Sequence, residues 1–90
     1  MKMSDELSRK NFKEKLDNQY SWPSLYMFKF IVPKGKEGKV LHLFPYNEVT
    51  TKESKNGNYI SVTAKVMMGS SDDIIKIYEQ AYKIEGVISL

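Results

Sequence analysis

The chain contains no cysteine, and histidine, arginine and tryptophan each occur once, at His42, Arg9 and Trp22. Without cysteine there are no disulfides, thiolate metal ligands, iron–sulfur clusters or thiol nucleophiles, a pattern that fits a reducing compartment. A single histidine with no cysteine provides no transition-metal set. His42 would also have to serve as the base of any serine or threonine hydrolase, and no G-x-S-x-G elbow accompanies it. It reads as a surface residue. No apolar run approaches the ~18–20 residues that cross a bilayer, so no membrane contact is expected. The opening "MKMSDELSRKNFKEKLDNQY" is charged and lacks the apolar block of a signal peptide. The expected location is cytoplasmic.

What is present describes a small soluble protein. Ninety residues, 41% hydrophobic and 28% charged, allow one domain with a single core. The net charge of +3 is unevenly spread. Residues 1–20 carry five basic and four acidic side chains, residues 21–58 six and three, and residues 59–90 three and four. A modest central excess of lysine tunes solubility and encounter rates and does not by itself indicate nucleic acid.

Residues 1–20 read as a helical appendage and 21–90 as one domain. Ser4 can cap a weak helix over 4–19, with Asp5 and Glu6 in its first turn and Phe12 and Leu16 on one face. The stretch is expected to dock loosely or fray. "SWP" stops it, because the residue before a proline leaves helical geometry. "LYMFKFIV", Leu25–Val32, is a strand apolar on both sides and suited to the middle of a sheet. The loop "PKGKEGK" leads to a short helix over Glu37–Phe44 that buries Val40, Leu41 and Phe44 and is stopped by Pro45. Strands are expected over Tyr46–Ser54 and Tyr59–Met68. "GSSDD" then starts a helix capped by Ser70 or Ser71, with Ile74, Ile77, Tyr78 and Ala81 at helical spacing. Gly86 marks its exit, and "GVISL" forms a last short strand.

Asn56-Gly57 is the favoured pair for a two-residue hairpin turn, in which both residues take positive φ. Centring the hairpin there makes paired residue numbers sum to 113. Ser54 then faces Tyr59, Thr50 faces Thr63, Val49 faces Ala64, and Glu48 faces Lys65. Val49 falls on the face of Ile60, Val62, Val66 and Met68, so turn and core demand the same register. The other face shows Ser61, Thr63 and Lys65 and is solvated. One covered and one open face, with two crossovers, predicts an α+β ferredoxin-like βαββαβ two-layer sandwich: a four-stranded antiparallel sheet plus an N-terminal helix. Right-handed crossovers place the first and third strands in the centre.

The blocks "ESKNGNYISVTAKV", "SSDDIIKIYEQ" and "IEGVISL", with "YSWPSLYMFKFIVP" before them, resemble the YbeD-like family, a bacterial domain of unknown function. The resemblance covers roughly residues 16–90. It implies a ferredoxin-like domain similar to the regulatory ACT domains that bind small metabolites. It offers no catalytic residue to carry over, and no cofactor is expected. The short first helix and the "PKGKEGK" loop depart from members with a longer helix.

Two surfaces stand out. "GKEGKV" fails as a phosphate loop, since its glycines are three apart and Val40 replaces the hydroxyl. Lys34, Gly35, Lys36, Gly38 and Lys39 remain a candidate site for a small anionic metabolite. Acylphosphatases share this fold but use an arginine in that loop, and Arg9 lies far upstream. The second surface is Leu25, Met27, Lys29 and Ile31, facing away from the helices beside Met67. Such patches mark contact surfaces, unless the N-terminal helix folds across this one with Phe12 and Leu16. RNA-binding domains of this fold stack bases on exposed aromatics, and after Tyr59 the outward positions Ser61, Thr63 and Lys65 give no second platform. The sequence therefore points to a non-enzymatic regulatory module sensing a small metabolite, or to a protein adaptor, with self-association as a homodimer expected and nucleic acid disfavoured.

Overall fold

In the computed structural model, which describes residues 6–90, seven elements follow in order: α1 (Glu6–Gln19), β1 (Ser24–Pro33), α2 (Glu37–Leu41), β2 (Val49–Glu53), β3 (Tyr59–Met68), α3 (Ser71–Ala81) and β4 (Ile88–Ser89). The expected cap Ser4 and the first-turn Asp5 lie outside the described residues. The strands form one antiparallel sheet ordered β2-β3-β1-β4, with β1 and β3 in the centre. With its helices on one side this is the ferredoxin-like α+β sandwich, extended by α1.

Alternation along β1 divides its side chains. Phe28, Phe30 and Val32 are fully buried, and Val62 and Ala64 join them from β3. Helix α3 closes the core through Ser71, Ile74, Ile75, Tyr78 and Ala81. Ile75, rather than Ile77, completes its buried stripe, and Ile77 lies half-buried at the edge. Ser70 caps the helix: its hydroxyl accepts the Asp73 N–H at 3.2 Å.

The hairpin register is the expected one, with Val49 opposite Ala64 and Thr50 opposite Thr63. Its turn is different. No non-glycine residue described has positive φ, so Asn56 does not adopt the geometry of a two-residue turn; Gly57 alone does, at φ 74°. The Gly57 N–H donates to the Ser54 carbonyl at 2.9 Å and the Ser54 N–H to the Tyr59 carbonyl at 2.8 Å. The Tyr59 N–H turns to the Ser54 hydroxyl at 3.1 Å. Residues 55–58 thus form a four-residue loop. Two- and four-residue loops centred between Asn56 and Gly57 impose the same strand pairing, so the register is unaffected.

Three boundaries contract. Helix α2 ends at Leu41, after which Leu43 and Phe44 donate to Val40 and Leu41 in tighter turns. Val40 and Phe44 are buried, whereas Leu41 is exposed. Strand β2 begins only at Val49, and Tyr46 is almost wholly exposed. The last strand keeps two residues, lengthened by the Leu90 N–H donating to the Lys29 carbonyl at 2.9 Å.

Helix α1 lies beside α3 in the helix layer and does not cross the open sheet face. Leu16 enters the core, and Phe12 meets Tyr78 edge-on at 5.5 Å. Arg9 pairs with Glu79 at 3.0 Å, and Lys13 reaches Asp72 at 3.2 Å and the Ser71 hydroxyl at 3.0 Å. Asp17 accepts the Trp22 indole N–H at 3.0 Å. The Ser71 hydroxyl, then the indole, hold its carboxyl below the usual aspartate range.

Candidate interaction surface

Because α1 stacks on α3, the far side of the sheet stays open. Leu25 and Met67 are direct cross-strand partners at one corner, with Met27 next along β1 opposite Lys65. Their exposures are 55%, 62% and 53%, large for apolar side chains grouped in one corner. Lys29 follows opposite Thr63 and Ile31 opposite Ser61. Ile31 is half-buried because β4 sets Ile88 against it. The structure therefore brings the predicted set Leu25, Met27, Lys29, Ile31 and Met67 onto one surface. It adds Ile88, exposed at 52%, which the alternation within "GVISL" could have indicated.

Two shallow depressions mark this face. One, of about 440 Å³, is lined by Ile31, Lys52, Ser61 and Tyr59 with the hairpin tip. The other, of about 330 Å³, lies among Glu48, Thr50, Thr63 and Lys65. Glu48 and Lys65 share that hollow, but they form no ion pair among the described residues.

The loop after β1 is differently disposed. Gly35, at φ 100°, turns the chain, and its N–H donates to the Glu37 carboxylate at 2.6 Å. Lys34 binds Glu53 at 2.9 Å, a hydrogen bond that raises the lysine's pKa. Lys36 approaches Glu85 at 3.6 Å. Lys34, Gly35 and Lys36 thus come together with their donors on carboxylates of the same chain, while Gly38 and Lys39 lie exposed along α2.

A third concavity, missed in the sequence, opens between α1, α3, β1 and the chain end. It holds about 240 Å³ and is lined by Phe12, Tyr26, Tyr78, Tyr82, Ser89 and Leu90. The Tyr26 and Tyr78 hydroxyls share a hydrogen bond of 2.9 Å, and those of Tyr82 and Ser89 one of 3.1 Å. Burial pushes the Tyr26 phenol up, and burial together with the hydrogen bond to Tyr26 pushes Tyr78 much further, so both stay neutral hydroxyls. Three tyrosines scattered in sequence gave no local signal for it.

Residues 17–90 match the family model described as Protein of unknown function (DUF493). The chain belongs to the DUF493 family. This is the YbeD-like family that the hairpin, third-helix and C-terminal blocks resemble. No curated protein and no solved structure matches the chain significantly. The DUF493 match takes in the whole sheet, α2 and α3, and begins in the last turn of α1. The Arg9, Phe12 and Lys13 contacts of that helix lie outside it.

Proposed function

We propose that this DUF493 chain is a non-catalytic regulatory module that captures a protein partner on the open face of its sheet. The observation that carries the reading is the uncovered corner of Leu25, Met27 and Met67. A soluble domain gains nothing in its own stability from apolar groups on that side, whereas burying them against a partner contributes roughly 25 cal/mol per Å². Methionine suits such a surface because its unbranched side chain adapts to the shape it meets.

The test compares the full-length chain with Met27→Asp and with Lys76→Asp, an exposed position on α3. Partners recovered from cells should be lost with Met27→Asp and kept with Lys76→Asp, both variants showing the wild-type circular dichroism spectrum. Retention of every partner by Met27→Asp overturns the reading.

Sensing of a small metabolite in the manner of ACT domains is the second reading. The hydroxyl-lined hollow of Tyr26, Tyr78 and Tyr82 favours it, being concave and mixed in polarity. The lysines of the first loop support it less, since Lys34 and Lys36 are already paired. A thermal-shift screen of amino acids, nucleotides and organic acids tests it, because a ligand stabilises by RT ln(1 + [L]/Kd). A hit whose shift disappears in Tyr82→Phe would locate the ligand in the hollow.

A further inference from the structure

The open face is charged as well as apolar. Lys29, Lys52 and Lys65 stand on it, opposite Thr63, Ser61 and Met27. All three are exposed, and none forms an ion pair within the described residues. Of the nearby carboxylates, Glu53 is engaged by Lys34, which leaves Glu48. Met27 has Lys65 directly across the strand and Lys29 two residues along it, roughly 7 Å away. The apolar anchor is thus flanked by unneutralised ammonium groups in both directions.

That arrangement discriminates among occupants. A second copy placed here by a two-fold axis would set the same patch against itself, lysines towards lysines. Single-stranded nucleic acid would suit the charge, but it binds by stacking on aromatic platforms, and among the described residues Tyr59 is the aromatic side chain on this face. Leu25, Met27 and Met67 instead suit aliphatic or aromatic side chains of a protein. We infer that the partner of this face is an acidic amphipathic protein segment, its apolar side chains seated on Leu25, Met27 and Met67 and its carboxylates on Lys29, Lys52 and Lys65. The inference rests on the capture surface proposed above and adds the chemistry of what is captured.

A displayed library of random dodecamer peptides, sorted against the full-length chain, tests it. Enriched peptides should be net acidic with periodic apolar residues, and their affinity should fall with added salt. The double variant Lys29→Glu/Lys65→Glu should weaken them roughly tenfold or more, and Met27→Asp should abolish binding. Neutral or basic enriched peptides, or no enrichment, overturn the inference. So does an oligouridine of matching length that binds more tightly than the peptides and is lost on lysine reversal. Sensitivity to Met27→Asp without sensitivity to lysine reversal removes the acidic partner and leaves the capture surface. Indifference to all these substitutions removes both.

Discussion

Phe28 and Met27 are neighbours in β1, yet one is fully buried and the other is 53% exposed. The same contrast runs along β3, where Val62 and Ala64 are buried and Met67 is exposed. Both sides of the central strands carry large apolar groups, but only the inner side meets α2 and α3. Hydrophobic residues on a central strand therefore serve two ends. Those facing the helices hold the fold, and those facing out remain for something else to cover.

Substitutions should separate the two sides, and the largest effect is expected inside. Phe28→Ala removes a ring that packs against Phe44 at 5.2 Å and Tyr78 at 5.6 Å. It should cost about 3–5 kcal/mol in urea unfolding. Gly86→Ala tests the turn that returns the chain to β4. Gly86 has φ 80°, and an added Cβ would lie 2.7 Å from Pro33 Cγ. A loss of about 1–2 kcal/mol from the φ alone is expected by thermal melting, with the clash adding to it. Ser70→Ala should cost about 1 kcal/mol through loss of the α3 cap, measured by the same melts.

Acidification sharpens the comparison within the helix layer. The folded-state pKa of Asp17 is depressed, so its contribution to stability is present above the ordinary carboxylate pKa near 3.8 and is lost as pH falls below it. Amide protection factors in α1, taken relative to the intrinsic exchange rate at each pH, should fall on titration below about pH 4, and Asp17→Asn should flatten that response. Met27→Ala on the open face is the smallest change. It should stay within about 0.5 kcal/mol of wild type in urea unfolding.

Most of this architecture was legible because independent signals agreed. The aromatic run of β1, the alternation of β3 and the Ser-Asp-Asp start of α3 each name one element, and Val49 ties the hairpin register to the core. The turn type was less legible, since Asn56-Gly57 favours a two-residue loop yet also fits a four-residue one of the same register, and the backbone angle of Asn56 decides. The seat of α1 could not be read at all. Its described part buries Leu16 alone, and Leu7 lies off the stripe of Phe12 and Leu16, so either layer of the sandwich could receive it. The candidate loop was half legible. Its lysines and glycines are conspicuous, but their capture by Glu53, Glu37 and Glu85 depends on folding, except at Glu37, which lies two residues beyond Gly35.

The concentric geometry at Asn56-Gly57 has a bearing on how this hairpin tolerates change of length. Deleting Lys55 with Asn58, or inserting one residue on each flank, leaves every rung of the ladder below in place. A single-residue deletion instead inverts one strand and drives Val49 towards solvent. Relatives should therefore vary at this tip in steps of two, and the tip is where a foreign epitope could be grafted without disturbing the sheet.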